Sequence, residues 1–385
     1  DQCELTVLIK RLIIIFRLQT GWDLSFIGLS LSFSFTGDWF LPLKTECDQL
    51  SLLNSPKGPV LEALNTSMSD VIDSKELPNA ISKVEIDWVR CIPFYLLHVS
   101  AISVFFVEFS WMAVIMTLLM YFPRMFGLTG FYHRYFAHRA FKTSRWFQFV
   151  GAVLGGAAIQ RGALWWASHH RDHHRHSDTE KDIHSPKQTG FFYSHMGWFM
   201  TKKNFDFKAN RIKDFTKYPE LVFINKHDVL IPVLFFIFCY FLGHFWNGVF
   251  GITEGSTWAL SGWQVVAYGF CLGTVLLYHS TFFVNSLAHV WGTRPYKTTD
   301  TSRNNLFIAL LTMGEGWHNN HHHFQSSARN GFRWYQIDAT YMILKLLSFV
   351  GIVWDLKPVP KHVVHRTAKA EADLAQQDTE SSTAV

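Results

Sequence analysis

Cysteine and charged side chains are both scarce in this chain. The five cysteines, at positions 3, 47, 91, 239 and 271, show no paired spacing, so we expect reduced, structural cysteines and no disulfide framework. Charged residues make up 17% of the chain, against 49% hydrophobic and 16% aromatic residues. This composition is typical of a multispan membrane protein and not of a soluble enzyme. The mean hydropathy of only +0.08 requires a large polar portion outside the bilayer.

Positive charge is absent from two connections and abundant elsewhere. The connections near residue 110 and at 251–261 contain no Lys or Arg, whereas segments 124–226 and 291–369 contain many. By the positive-inside rule, both of these large segments are cytoplasmic. The net charge of +5 is too modest to suggest a nucleic-acid partner.

Four apolar runs are long enough to cross a bilayer, and their short connections pair them as two hairpins: 92–109 with 111–131, and 229–250 with 262–284.

A fifth apolar run, at 147–166, is interrupted by glycines, Gln160 and Arg161. If it crossed the membrane, the histidine clusters on either side of it would lie on opposite faces. We therefore interpret it as an in-plane or re-entrant helix. The predicted fold is an all-α membrane protein with four transmembrane helices in two hairpins and a cytoplasmic helical cap.

Nine histidines stand out, because eight of them form three tight clusters and the ninth follows an asparagine. Uncharged imidazole is the commonest side-chain metal ligand and suits iron, zinc and copper. Histidines at i, i+3 and i+4 share one face of a helix, whereas an i, i+5 pair diverges by about 140° on an ideal helix. The i, i+5 pair can serve one site only if its members approach from different sides or the helix unwinds. The clusters are His133 with His138; His170, His173 and His174; and His318, His321 and His322, with His289 alone behind Asn285.

The number and type of these residues favour two metal ions. Structural zinc sites close with four ligands, usually including cysteine, so nine neutral histidines exceed the need of one zinc. The Glu-x-x-His pattern of soluble di-iron bundles is absent. Two metals with open positions fit better, and iron is the one that reacts with O₂. A zinc-binding membrane receptor, transporter or hydrolase remains the non-redox alternative.

The sequence around the clusters resembles that of the integral-membrane fatty acyl desaturases, in particular the stearoyl-CoA (Δ9) desaturase-like group with its bacterial relatives. The resemblance covers roughly residues 90–360. It rests on five stretches, which are Gly127-Leu-Thr-Gly-Phe-Tyr-His-Arg134, Ser177-Asp-Thr-Glu-Lys-Asp-Ile-His184, Gly190-Phe-Phe-Tyr-Ser-His-Met-Gly-Trp198, Asn285-Ser-Leu-Ala-His289 and Gly314-Glu-Gly-Trp-His-Asn-Asn-His-His322.

The resemblance implies a di-iron centre held by the nine histidines, with Asn285 acting through water. It also implies O₂-dependent insertion of a cis double bond into a saturated acyl chain, at Δ9 and on acyl-CoA. Because no His-Pro-Gly-Gly motif occurs, the electrons must come from a separate protein, such as cytochrome b5 or a ferredoxin. A histidine-rich hydroxylase or alkane monooxygenase is the alternative within the same superfamily.

The predicted substrate contacts include one departure from the family pattern. Acyl-CoA desaturases often carry Arg-Asp before the second cluster, where this chain has Ser168-His169. Lys202 and Lys203 match a basic pair that faces the CoA phosphates, and a solvated surface is their alternative role. The basic pair favours acyl-CoA, while the missing Arg-Asp leaves an acyl-lipid or an acyl-carrier-protein substrate open. Two further substrate contacts are predicted, at Arg161 and Trp166.

Other polar residues are expected to support the site. His184 and His195 are predicted to orient ligands. Glu315 is predicted to orient a ligand histidine or to relay protons, and helix capping is the alternative role. Asp172, Asp178 and Asp182 are expected to be supporting or surface acids. The solitary histidines of the spans, His98, His244 and His279, are expected to make hydrogen bonds in the core.

The predicted domains are a poorly defined N-terminal region 1–90, a membrane domain 91–360 and a polar tail 361–385. Met68 is the first methionine, so one hypothesis is that residues 1–67 are not native. The host membrane, either the bacterial inner membrane or the endoplasmic reticulum, is left open by the sequence.

Overall fold

The structure, a computed structural model, describes residues 85–365. The predicted N-terminal region up to residue 84 and the predicted tail beyond residue 365 lie outside the described residues. Within the described part, four helices are long and apolar enough to cross a membrane, as predicted. They are span 1, Trp88–Phe105; span 2, Trp111–Ala137; span 3, Leu230–Phe250; and span 4, Gly262–His289.

Span 1 is displaced from the predicted range of 92–109. Its α-helix α1 covers Trp88–Ser100, and the 3₁₀-helix Ala101–Phe105 continues it. It starts early because the side chain of Asp87 accepts a hydrogen bond from the Arg90 N–H and caps the first turn. It ends at Phe105, and span 2 begins after Ser110, whose hydroxyl accepts from the Ala113 N–H.

Span 2 runs beyond its predicted end at residue 131. The helix α2, Trp111–Phe126, passes without a break into a π-helix, Gly127–Ala137. The first histidine cluster therefore lies on a wide helical turn and not on a frayed end. Span 4 has a similar interruption, with α9 at Gly262–Val265, a π-helix at Val266–Leu272, α10 at Gly273–Asn285 and a 3₁₀ turn at Leu287–His289.

The run at 147–166 is not a membrane span, as predicted, but it is not one helix either. It divides into α3, Arg145–Gly156, and the first turn of α4, Ala163–His176. Ile159 and Arg161 between them have φ of 61° and 67°, and this left-handed backbone breaks the helix. The break lets α4 start in a new direction and carry the second histidine cluster.

The remaining elements form the cap, which we define as residues 138–229 and 290–365. Its two short strands pair antiparallel, with Lys142 opposite Trp354 and Thr143 opposite Val353. Span 3, which is not part of the cap, is the single helix α8. The strands are β1, Lys142–Thr143, and β2, Val353–Trp354; the other α-helices are α5, Pro186–Thr189; α6, Lys213–Thr216; α7, Pro219–Lys226; α11, Leu306–Leu311; α12, His318–His323; α13, Ala339–Phe349; and α14, Lys361–His365.

A hydrophobic core lies between the cap and the π-helix of span 2, and α3 packs directly against that helix. A Cβ atom on Gly151 would lie 1.9 Å from the ring of Phe131, and one on Gly155 would lie 2.2 Å from the ring of Tyr132. Only glycine permits this approach at either position. The two aromatic side chains are 1% exposed, so the turn that carries His133 is held on its outer side.

Candidate metal centre

All nine predicted histidine ligands come together, and they divide into two groups. The ligand atoms within each group lie within 4.8 Å of one another. The first group is His133, His138, His170, His174 and His321; the second group is His173, His289, His318 and His322.

The first cluster joins one group because of the π-helix. In this helix each N–H bonds to the carbonyl five residues earlier, and the His138 N–H donates to the His133 carbonyl at 3.1 Å. Residues at i and i+5 are therefore neighbours, and the rings of His133 and His138 lie 4.7 Å apart. The divergence of an i, i+5 pair on an ideal α-helix does not apply here.

The two HxxHH clusters are each shared between the groups. On α4, His170 and His174 enter the first group, while His173 enters the second. On α12 the division is reversed, since His318 and His322 enter the second group and His321 the first. Each of these helices therefore connects the two groups through residues one turn apart, which sets the spacing between the groups.

The nitrogen atoms in these groups face one another in a way that a cation would satisfy. His170 Nε2 lies 2.9 Å from His138 Nε2 and 3.0 Å from His174 Nε2. His321 Nε2 lies 3.0 Å from His133 Nε2 and 2.9 Å from His174 Nε2. A neutral ring has one N–H, so these four contacts cannot all be hydrogen bonds, and at least one pair of Nε2 atoms is left without a proton directed between them. A metal ion at their common point removes this repulsion, and the residues therefore fit a bound metal.

Four carboxylates orient ligand rings from behind. Glu315 lies 2.7 Å from His133 Nδ1, and Asp182 lies 3.0 Å from His173 Nδ1. The carboxylate oxygens can only accept, so each Nδ1 carries the proton and Nε2 is left free for a metal. Asp300 acts on His322 Nδ1 at 2.6 Å, and Asp178 lies 3.4 Å from His289 Nδ1.

Burial disfavours the charged form of six of the ligand rings. It holds the pKa of His138, His170, His174, His318 and His321 well below the ordinary value, with neighbouring rings adding to the effect. Burial also lowers the pKa of His322, to about 4, although Asp300 opposes it. His173 is the exception: burial lowers its pKa, but Asp182, Asp178 and Asp300 together raise it above the ordinary value.

Of the predicted supporting acids, Asp178 and Asp182 contact ligand histidines, as described above. Asp172 does not. It pairs instead with Lys208 and with Arg211, at 2.7 Å from the Arg211 Nε. Glu315 contacts His133, as an orienting role requires, and it does not cap α12, whose first turn has no side-chain cap. Asp300 was missed by the sequence analysis. It lies between His289 and His318 in the chain, but no spacing rule pointed to it.

A largely apolar cavity of about 480 Å³ reaches the centre. Its inner wall includes His133, His170, His173 and His318, which represent both groups. The cavity walls come from span 1, the π-helix of span 2, α4 and span 4, and include Phe94, Leu128, Trp166, Phe199, Tyr278 and Phe282.

The predicted substrate residues occupy different positions. Trp166 and Arg161 line the cavity; the Trp166 ring stacks on His170 at 4.9 Å, and the Arg161 Nε donates to Asp228 at 2.7 Å. Asn285 also lines the cavity. Lys202 and Lys203 are exposed and are not among its lining residues, and Lys202 pairs with Glu85 at 3.0 Å.

Comparison with known proteins supplies an independent line of support. A family model described as fatty acid desaturase matches residues 109–348. The chain is 35% identical to an sn-1 stearoyl-lipid 9-desaturase of Anabaena variabilis, over 73% of this chain and 97% of that protein. It is 34% identical to an acyl-CoA C20 Delta5-desaturase of Anemone leveillei, over 79% and 95%. It is 37% identical to Delta-9 acyl-lipid desaturase 2 of Arabidopsis thaliana, over 73% and 86%. The matched residues include all nine histidines.

Proposed function

Because this chain belongs to the fatty acid desaturase family, we propose that it introduces a cis double bond at carbon 9 of a saturated acyl chain carried by coenzyme A. The overall change is –CH₂–CH₂– + O₂ + 2 e⁻ + 2 H⁺ → –CH=CH– + 2 H₂O. The observation that carries the proposal is the apolar cavity, whose inner wall holds histidines of both groups. Position 9 is supported by two of the relatives named above.

We propose that two iron ions occupy the two histidine groups. Iron held there would supply the O₂-dependent removal of two hydrogen atoms from unactivated carbons. The protein's own part is to present neutral Nε2 atoms, which Glu315, Asp182 and Asp300 ensure by holding the proton on Nδ1. Asn285 on the cavity wall is proposed to complete the coordination through water.

The side chains around the cavity position the acyl chain and exclude water. Adjacent methylene groups are chemically alike, so the reaction can select one bond only by position. Aromatic side chains from spans 1 and 4 enclose the cavity, with the rings of Phe94 and Tyr278 stacked at 5.7 Å. The electrons are proposed to come from a separate protein such as cytochrome b5 or a ferredoxin, at a cytoplasmic face marked by the lysines and arginines of the cap.

A glycerolipid is the second candidate carrier. The hydroxyl of Ser168, which stands where acyl-CoA desaturases often have Arg, is bonded to the backbone of Lys208 in both directions, at 3.2 Å and 3.0 Å. It offers no charge to a CoA group. Two of the relatives named above are acyl-lipid enzymes.

The test is expression in a desaturase-deficient host, followed by gas chromatography and location of the double bond. A 9-unsaturated product supports the proposal, whereas a hydroxy acid or a bond at another position contradicts it. Isolated membranes are then given labelled stearoyl-CoA with lipid acyl transfer blocked. Label in an oleoyl thioester supports coenzyme A as the carrier, and label found unsaturated only after transfer to lipid supports the glycerolipid.

A further inference from the structure

Three histidines outside both metal groups form one continuous hydrogen-bonded row. His98 lies in span 1, His279 in span 4, and His195 in the π-helical turn Tyr193–Gly197 of the cap. His98 Nε2 lies 3.3 Å from His279 Nε2, and His279 Nδ1 lies 3.0 Å from His195 Nε2. The row ends at His195 Nδ1, which lies 2.9 Å from the hydroxyl of Ser286.

The direction of every bond in this row follows from its first member. His98 Nδ1 lies 2.8 Å from the Phe94 carbonyl, which can only accept, so His98 carries its proton on Nδ1. A neutral His98 must then accept at Nε2, and His279 must donate from its own Nε2. His279 in turn accepts at Nδ1, so His195 donates from Nε2.

The far end of the row completes the same pattern. His195 is left to accept at Nδ1, and the Ser286 hydroxyl donates to it. The same hydroxyl lies 3.0 Å from the Phe282 carbonyl. That carbonyl does not need the hydroxyl as a donor, because it already accepts a hydrogen bond from the Ser286 N–H at 3.1 Å. All three rings are therefore satisfied without a net charge. Burial supports this for His195, since it lowers the pKa of that ring to about 4.

The row connects three elements that form one side of the acyl cavity. One turn before His98, span 1 places Phe94 in the cavity wall, and span 4 places Thr281 and Phe282 there just after His279. The cap holds the end of span 4 at two adjacent points. His195 contacts Ser286, and the Ser194 hydroxyl lies between the His184 carbonyl, at 2.5 Å, and the Asn285 carbonyl, at 2.8 Å. The position of Asn285 relative to span 1 thus depends on these bonds.

We propose that His98, His279 and His195 are positioning residues that hold span 1, span 4 and the cap turn Tyr193–Gly197 in register on this side of the cavity, and so determine which carbon pair of the acyl chain is desaturated. The inference rests on the proposed function, because it concerns the selectivity of that same reaction. A displacement of about 1 Å can cost roughly 100-fold in rate at a reacting centre. A loosened row therefore lets neighbouring methylene groups compete.

The experiment compares variants that break the row at different points with one that preserves it. His195→Phe removes both bonds of that ring. His98→Asn keeps a donor to the Phe94 carbonyl but loses the contact with His279. His195→Gln keeps a side-chain N–H able to reach His279 Nδ1. The matched control is His244→Phe in span 3, since the His244 ring makes aromatic contacts with Tyr240, Phe241 and Phe245.

The full-length variants are expressed in the desaturase-deficient host, and both the double-bond positions of the product and the metal content of the purified protein are measured. We expect His195→Phe and His98→Asn to keep the metal content of the control. The share of product with the bond displaced by one carbon should rise at least fivefold, and His195→Gln should return it to within twofold of wild type.

Two results would overturn the inference. One is an isomer ratio equal to that of His244→Phe, even at a reduced rate, since a merely structural role predicts it. The other is loss of metal in the row variants. If His195→Phe fails to accumulate, His98→Asn and His195→Gln decide the question. A wild-type protein that makes no alkene at all would instead contradict the proposed function.

Discussion

His133 Nδ1 lies 2.7 Å from the Glu315 carboxylate, and both side chains are buried. The same carboxylate accepts hydrogen bonds from Arg134, at 3.1 Å, and from the Asn330 amide, at 2.8 Å. Arg134 in turn contacts Asp338 at 2.9 Å. The π-helix of span 2 is thereby tied to the segment just before α12, so one acid orients a ligand and joins two ligand-bearing elements.

The first prediction concerns this acid. Glu315→Gln keeps the shape of the side chain but faces an amide toward Arg134 and weakens the hold on His133. Loss of such a supporting partner typically costs 10–100-fold in metal affinity, and we expect a loss in that range. Metal competition with a chelator measures it. Glu108→Gln, an exposed acid between spans 1 and 2, is the control. Equal affinities in the two variants would contradict the assigned role.

The second prediction concerns the ligands themselves. His321 Nε2 approaches both His133 and His174 within 3.0 Å, so His321→Ala opens the first group. We expect turnover to be lost and the iron content to fall from about two per chain to one or fewer, as found by elemental analysis. His244→Ala should leave both unchanged. Full activity in His321→Ala would be incompatible with the proposed centre.

The third prediction is a loss of stability in mild acid. Five cap histidines have a pKa well below the ordinary value of about 6.5. Below pH 6.5 these histidines bind protons in the unfolded chain but not in the folded protein. The free energy of unfolding therefore decreases as the pH is lowered. The raised pKa of His173 works in the opposite direction, but it is one ring against these five and against His169, His184, His195 and His322, whose pKa burial also lowers. The lowered carboxylates Asp178, Asp182 and Asp300 act only below about pH 4.

Thermal unfolding of the detergent-solubilised protein between pH 5.5 and 7.5 checks this sign. The midpoint should be nearly constant above pH 7 and should fall below pH 6.5. His321→Ala should flatten the dependence, because it removes one of the contributing rings. A midpoint that rises on acidification would show that the histidines are charged in the folded protein.

The fourth prediction concerns the glycine contact beneath the first cluster. A Cβ atom on Gly151 would lie 1.9 Å from the Phe131 ring, so Gly151→Ala must push that ring or the π-helix aside. Overpacking of this kind costs about 1–3 kcal/mol, and metal binding should weaken with it. The control is Gly248→Ala in span 3, where an added Cβ meets no atom within 4 Å. Equal thermal midpoints for the two variants would refute the packing argument.

The fifth prediction tests the basic pair. Lys202 and Lys203 are exposed and separate from the cavity lining, so they can act only on a headgroup outside it. If the substrate is acyl-CoA, changing both to Ala should raise KM for acyl-CoA several-fold and leave KM for a lipid-linked substrate unchanged. The control pair is Lys181 and Lys187, also exposed on the cap. The same change in KM for both substrates would remove the proposed phosphate contact.

Several features of the molecule could be predicted from the sequence alone. The four spans follow from the length of the apolar runs, because a bilayer requires about 20 consecutive apolar residues of helix. The exclusion of the 147–166 run as a span follows from the need to keep all histidine clusters on one side. The spacing in the HxxHH clusters predicted that their rings share a helix face and reach a common site.

Tertiary structure alone decided how those residues are divided. The π-helix that brings His133 and His138 together, the exchange of partners between α4 and α12, and the role of Asp300 all depend on backbone geometry and on contacts between segments distant in the chain. The row of His98, His279 and His195 is a similar case, since its members come from three separate elements. A sequence records local periodicity, whereas the pairing of side chains across elements is set by how those elements pack.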